Sequence, residues 1–134
     1  MAIKPKSAKN TTVKRIKKKL SLVRISINAG FNNTIITLAE PNGLVLAWAS
    51  SGKMGFKGSR KATPFAAQKA VEEILDKMSE TGASAVNIVV KGVGSGRDQA
   101  IRTIASNQNL EVQSIHDVTP VPHGGVRAKK RRRV

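Results

Sequence analysis

Two glycine-rich segments of this sequence combine cations with backbone freedom, which close contact with a phosphate chain requires. The first covers residues 51–61, where glycines alternate with basic side chains. Glycine lets the backbone approach phosphate closely, Lys and Arg neutralise its charge, and an aromatic ring can stack on a base. The segment is therefore either an RNA-binding loop or a plain surface loop. Its candidate RNA contacts are Lys53, Phe56, Lys57, Arg60 and Lys61.

The second segment, residues 91–97, reads Lys-Gly-Val-Gly-Ser-Gly-Arg and is predicted to join a strand to a helix. A helix start presents free backbone N–H groups that can bind phosphate. RNA phosphate, a mononucleotide and a purely structural turn are the three interpretations. The spacing disfavours a mononucleotide, because neither G-x-G-x-x-G nor a following Lys-Ser or Lys-Thr is present. Its candidate RNA contacts are Lys91, Gly92, Gly94, Gly96 and Arg97.

The net charge of +16 is concentrated at the two ends of the chain. Residues 1–20 hold eight cations and no acid, residues 123–134 hold six cations and no acid, and residues 21–122 hold ten basic and eight acidic residues. Like charges in a block repel one another until a polyanion neutralises them and releases its counterions. We therefore predict two nucleic-acid-binding tails. Their candidate contacts are Lys14, Arg15, Lys17, Lys18, Lys19, His123, Arg127, Lys129, Lys130, Arg131, Arg132 and Arg133.

Alternative interpretations of the basic tails are a nuclear-localisation signal, a membrane-surface patch and a tail that only increases solubility. The membrane patch is disfavoured because the tails lack apolar residues at amphipathic spacing. No apolar run approaches the 18 residues that predict a membrane-spanning helix.

The sequence contains no recognisable set of catalytic or metal-binding groups. The chain has no cysteine and only two histidines, which excludes disulfides, zinc knuckles and thiol catalysis. Four of the eight acids, Glu72, Glu73, Asp76 and Glu80, fall on one predicted helix among lysines, where surface ion pairs are the simplest explanation. The sequence predicts no catalytic residue, no metal, no cofactor and no small-molecule substrate, so we do not expect an enzyme.

Hydrophobic periodicity predicts five strands and two helices in the order βββαβαβ. Thr63 before Pro64 is typical of a helix start, and Ser95 with Asp98 has the spacing of a capping box. The fold class is α/β, a mixed-sheet sandwich, with one domain at residues 21–122 between tails 1–20 and 123–134. The predicted elements are strands at 22–28, 34–40 and 44–50, a loop at 51–61, a helix from Pro64 capped by Gly82, a strand at 85–91, a helix from 95, and a strand at 111–118.

Several stretches resemble a known protein family. They are Phe31 to Thr37, Gly55 to Gln68, Asp117 to His123 and the basic ending Lys130 to Val134. In this order they closely resemble the bacterial-type family of small-ribosomal-subunit protein eleven. The resemblance runs from about residue 22 to the C-terminus.

The resemblance implies a fold similar to ribonuclease H without its catalytic carboxylates. It implies a structural role on the platform of the small subunit, near the exit site and the messenger RNA path. The implied partners are small-subunit ribosomal RNA and neighbouring platform and head proteins. The implied location is a ribosome in the cytoplasm or in an organelle. Further candidate RNA contacts are Asn32, Asn33 and Arg102.

Two alternatives from other functional classes stay open at this point. One is a phosphate-loop nucleotide-binding enzyme or its inactive relative, and the other is a DNA-compacting protein. The sequence lacks the paired carboxylates that the enzyme would need. It also shows neither the dimer-forming elements nor the alanine- and lysine-rich helices that a DNA-compacting protein usually has.

Overall fold

The computed structural model describes residues 19–134, and it confirms an α/β fold with five strands and two α-helices in the predicted order. The residues predicted as a loop between the third strand and the first helix contain an additional 3-10 helix, Gly58–Ala62. The elements are β1 (Leu22–Ala29), β2 (Thr34–Ala39), β3 (Val45–Ser50), α1 (Pro64–Ser79), β4 (Ala85–Lys91), α2 (Gly96–Ala105) and β5 (Glu111–Asp117).

The five strands form one mixed sheet in the order β3-β2-β1-β4-β5. β2 is antiparallel to β1 and β3, whereas β4 is parallel to β1 and β5. Consequently β1, β3, β4 and β5 all run in the same direction, and their last residues meet at one end of the sheet. We call this end the carboxyl edge. It comprises the segments 30–33, 51–63 and 92–95 and the start of the chain after Asp117.

The core lies between the sheet and the two helices. Side chains alternate across a strand, so Val23, Ile25 and Ile27 of β1 share one face, and all three are fully buried. The helices pack on this same face. α1 contributes an apolar stripe at helical spacing and α2 a shorter one. The buried helix side chains that join the core cluster are Ala70, Val71, Ile74, Met78, Ala100 and Ile104.

The opposite face of the sheet is not covered by any element within residues 19–134. Arg24 and Asn28 of β1 are exposed there, and so are Ile35 and Trp48 on the neighbouring strands. This leaves a broad surface of mixed polar and apolar character beside the carboxyl edge.

The helix ends agree only partly with the sequence prediction. Thr63 is the N-cap of α1, and its hydroxyl accepts a hydrogen bond from the Ala66 amide. The predicted capping box at Ser95 is wrong, because the Ser95 hydroxyl donates to the Ala62 carbonyl instead. α1 ends at Ser79, before Gly82, which takes a left-handed conformation in the turn that follows. Neither α1 nor α2 is long and apolar enough to cross a bilayer, and residues 19–134 contain no other candidate.

Candidate nucleic-acid interface

The carboxyl edge brings together segments that are far apart in the sequence. The hydrogen bond from Ser95 to the Ala62 carbonyl ties the glycine turn to the end of the 3-10 helix. A Cβ on Gly96 would lie 2.6 Å from the Thr34 hydroxyl and 2.8 Å from the Ala67 side chain, so α1 and α2 meet closely beside β2. Both glycine-rich segments therefore belong to a single surface, with the starts of both helices beside it.

The loop before α1 presents free cations beside an aromatic pair. Lys57 and Arg60 are exposed, and no carboxylate within residues 19–134 pairs with either side chain. With Phe56 they line a concavity of about 500 Å³. Phe56 is half-buried and packs edge-to-face on Phe65, with ring centroids 5.9 Å apart. This arrangement suits a phosphate chain with a base lying on the rings.

Lys53, from the same loop, has partners within the protein. Its ammonium lies 3.0 Å from Glu73, 3.2 Å from the Trp48 carbonyl and 4.8 Å from the centre of the Trp48 ring. Glu73 also accepts a hydrogen bond from Lys77 at 2.6 Å. Burial acts to raise the pKa of Glu73, but the hydrogen bonds from the two lysines hold that pKa below its usual value. Lys53 thus fixes the start of the loop, and its RNA contact stays a prediction.

Close packing within the protein explains why the turn after β4 contains glycines, without reference to any ligand. A Cβ on Gly92 would lie 2.3 Å from the Ala29 carbonyl oxygen, and one on Gly94 would lie 2.3 Å from the Gly30 carbonyl oxygen. The Gly94 amide donates to Ala29 at 2.9 Å, and the Gly92 amide donates to the Thr119 hydroxyl at 3.1 Å. These two amides are therefore occupied, which favours the structural interpretation of this half of the turn.

Arg97 connects the glycine turn to the end of β5. Its guanidinium donates to the Gly92 carbonyl at 2.9 Å, to the Thr119 hydroxyl at 3.4 Å and to Asp117 at 2.6 Å. Hydrogen bonds from the Thr119 hydroxyl, from Arg97 and from the Thr119 amide hold the pKa of Asp117 well below its usual value. Arg97 thereby sets where the chain leaves the sheet, and its contact with RNA phosphate stays a prediction.

The remaining predicted residues divide into two groups by position. Asn32 and Lys91 are exposed at the carboxyl edge, and the Asn33 side chain accepts a hydrogen bond from the Thr34 amide in the same turn. The segment 123–134 contains no helix or strand, and all its residues are exposed. Those that carry the predicted RNA contacts are His123, Arg127, Lys129, Lys130, Arg131, Arg132 and Arg133.

Two predicted contacts lie away from this surface. Arg102 is in the last turn of α2, and Lys19 comes before β1, so both are near the opposite end of the sheet. The predicted contacts Lys14, Arg15, Lys17 and Lys18 lie outside the described residues.

Sequence reasoning missed two exposed apolar side chains at the carboxyl edge. Phe31 is 79% exposed in the turn after β1, and Val93 is 65% exposed in the glycine turn. A large apolar residue in a predicted turn is a signal that could have been used, because such a residue normally seeks burial.

The acids of the described chain do not form a metal-binding group. Within residues 19–134 no three His, Asp or Glu side chains are placed to hold a metal ion. Glu72 accepts hydrogen bonds from the Lys69 ammonium and from the neutral Gln68 amide, and Glu73 accepts from Lys77. The pairs Lys69–Glu72 and Lys77–Glu73 match the surface ion pairs expected on this helix from the sequence.

A comparison with protein families assigns the chain. The model of the family described as ribosomal protein S11 matches residues 23–133. The match includes both helices, the carboxyl edge and nearly all of the basic C-terminal segment. This is a structural family of the small ribosomal subunit and not a family of enzymes. The chain belongs to the ribosomal protein S11 family.

Proposed function

We propose that this chain holds small-subunit ribosomal RNA against the carboxyl edge of its sheet. Its family consists of small-subunit ribosomal proteins, which bind ribosomal RNA and other ribosomal proteins. The observation that supports the carboxyl edge is the meeting there of cations that have no acidic partner in the described chain. Lys57 and Arg60 lie in the loop before α1, Lys91 is the last residue of β4, and the segment 123–134 follows β5, which ends at the same edge.

The proposed mechanism is charge neutralisation on a rigid support. The buried core fixes the strand ends, the strand ends fix the loops, and the loops present Lys and Arg to phosphate. The starts of α1 and α2 add the positive ends of two helix dipoles at the same edge. The C-terminal segment supplies six further cations, which would follow the RNA backbone away from the domain.

The finer location follows from the resemblance described above. We place the protein on the platform of the small subunit, near the exit site and the messenger RNA path, among platform and head proteins. We also propose that the fold is similar to that of ribonuclease H and that RNA-binding N- and C-terminal tails flank the domain at residues 21–122. Membership of a structural ribosomal family excludes the phosphate-loop enzyme.

The direct test compares two double variants that remove the same charge. Lys57→Gln with Arg60→Gln alters the carboxyl edge, whereas Arg24→Gln with Lys77→Gln alters cations away from it. Binding to small-subunit ribosomal RNA is measured at several salt concentrations, with duplex DNA as competitor. The binding constant K falls as salt rises, and each lost phosphate contact should make the slope of log K against log salt shallower by roughly 0.7 to 0.9.

The slope for the edge variant should therefore be shallower than that of the unaltered protein by roughly 1.4 to 1.8, and the slope for the control variant should be unchanged. Equal slopes for the two variants would contradict the placement of RNA at this edge. Displacement of the ribosomal RNA by an equal mass of duplex DNA would favour the DNA-compacting alternative.

A further inference from the structure

A small pocket opens where β1 and β4 end, beside the uncovered face of the sheet. Its walls include Asn28, Phe31, Lys91, Val93, Thr119 and Pro120. We propose that this pocket binds one unpaired base of the ribosomal RNA, stacked on Phe31. The inference rests on the proposed function and adds a specific subsite to it.

The floor of the pocket is rigid backbone. Gly92 lies directly against the Ala29 carbonyl, where any larger residue would collide. The Gly92 amide donates to Thr119, and Arg97 donates to the Gly92 carbonyl and to Thr119. The turn, the end of β4 and the residues after β5 are thus held together, so the pocket exists before a ligand arrives. A preformed site avoids the ordering cost that weakens binding to mobile loops.

The walls of the pocket expose apolar surface that the folded chain does not cover. Phe31 and Val93 have most of their side-chain surface in water, although both stand next to a concavity. The pocket holds about 250 Å³, which is below the roughly 300 to 1,000 Å³ of typical cofactor and drug-sized sites. Its size therefore favours a single flat ring system over a complete nucleotide cofactor.

The polar groups at the rim suit a base with its attached phosphate. Asn28 and Lys91 are directly paired in the register of β1 and β4. No residue within 19–134 forms a hydrogen bond or ion pair with either side chain. An amide side chain offers both donors and an acceptor, as the edge of a base requires, and a lysine ammonium binds phosphate.

The surrounding charge favours RNA over a protein side chain as the occupant. Asp117, close to Thr119, is neutralised by its ion pair with Arg97. From Pro120 the chain continues into the segment 123–134, which has six cations and no acid. A phosphate chain that follows this segment would pass the mouth of the pocket. An apolar side chain of a partner protein would gain nothing from these charges.

The test uses full-length protein, small-subunit ribosomal RNA and three variants. Phe31→Ala removes the stacking ring, Phe31→Tyr retains it, and Leu44→Ala removes a similarly exposed apolar side chain at the hairpin turn. Loss of one base–aromatic stack should weaken binding roughly 5- to 150-fold. The salt slope should not change, because stacking releases no counterions. Phe31→Tyr and Leu44→Ala should bind like the unaltered protein.

Chemical probing of the RNA bases adds a second measurement. The unaltered protein should protect one unpaired base that becomes reactive with Phe31→Ala and stays protected with Phe31→Tyr. Equal affinity and equal protection for Phe31→Ala and the unaltered protein would overturn the inference and leave the proposed function intact. Normal RNA binding combined with lost binding of a neighbouring ribosomal protein would also overturn it, because the occupant would then be a protein. Failure of the unaltered protein to bind the RNA would instead reject the proposed function itself.

Discussion

Arg97, predicted to contact RNA phosphate, also has partners within the folded protein. It is separated from Asp117 by 20 positions, yet the two side chains form a direct ion pair at the carboxyl edge. Both residues are brought there because β4 and β5 are parallel and end together. Arg97 therefore aligns the residues that lead into the C-terminal segment, and its direct contact with RNA phosphate stays a prediction.

Replacing Asp117 with Asn tests this ion pair through its pH dependence. The pKa of Asp117 is depressed in the folded protein, so its carboxylate stabilises the fold at neutral pH. Below the usual aspartate value of about 3.9, the unfolded chain binds a proton that the folded chain does not, and the stabilisation declines. Asp117→Asn should therefore lower the free energy of unfolding at pH 7 and have a smaller effect near about pH 2.5.

Urea titrations of the unaltered protein and the variant at the two pH values measure that difference. Other carboxylates with lowered pKa values, such as Glu72 and Glu73, are common to both proteins and cancel in the comparison. A difference that is equal at both pH values, or grows on acidification, would show that Asp117 is not held ionised by Arg97 and Thr119.

Some individual contacts were predictable from sequence, and others were not. Thr63 was identifiable as a cap because its partner amide lies three residues away. The partner of Lys53 is Glu73, 20 residues further on, and only the packing of α1 beside β3 brings them together. Ser95 had the local spacing of a cap, but a distant carbonyl, that of Ala62, offered its hydroxyl a better partner. Local patterns predict local hydrogen bonds and fail where tertiary contacts compete.

At the scale of elements, the strands and helices follow from periodicity, while the turns depend on close packing. The alternation of Val23, Ile25 and Ile27 predicted the buried face of β1, and all three are buried. The 3-10 helix Gly58–Ala62 was missed because a short run of glycine and cations has no hydrophobic period. Its last residue, Ala62, accepts the hydrogen bond that joins the two glycine-rich segments, so the missed element matters for the site.

Substitution of a glycine at the carboxyl edge tests the packing of the turn. A Cβ on Gly94 would lie 2.3 Å from the Gly30 carbonyl oxygen, and backbone cannot move away cheaply. Gly94→Ala should therefore lower the free energy of unfolding by about 1 to 3 kcal/mol. Gly52→Ala is the matched control, since its Cβ would meet only the flexible Lys61 side chain and the Ser50 side chain, the nearer at 3.4 Å.

Urea denaturation of the two glycine variants gives the comparison. The control should change stability by no more than about 0.5 kcal/mol. If both variants were equally stable, Gly94 would not be closely packed against β1, and its presence would need an explanation based on RNA.

At the scale of the whole molecule, stability and binding are located in different parts of the chain. The core cluster lies between the sheet and the helices, whereas the C-terminal segment is exposed throughout. The uneven charge distribution was visible in the sequence, and it correctly pointed to the nucleic-acid-binding class. The meeting of the loops at the carboxyl edge was not visible there, because it depends on the strand order and on which strands are parallel.

Removal of residues 123–134 separates these two properties. The free energy of unfolding of the truncated protein should lie within about 0.5 kcal/mol of that of the full chain, because the removed residues are all exposed and none belongs to the core cluster. Its RNA affinity should become much less sensitive to salt, with a slope smaller by roughly 4 to 5 for six lost cations. Thermal unfolding and RNA binding at several salt concentrations measure the two effects. An unfolded truncated protein would show that the segment supports the domain.

Directed hydroxyl-radical probing tests the central claim most directly. The chain has no cysteine, so single cysteines can carry an iron chelate without background labelling. Lys57→Cys, Val93→Cys and Val126→Cys report on the carboxyl edge and the segment that follows it, and Asp76→Cys reports on the exposed acidic side of α1. Each labelled protein is assembled into small subunits. The account predicts strong cleavage of overlapping RNA regions from the first three positions and weak cleavage from Asp76. Stronger cleavage from Asp76 than from the three others would contradict it.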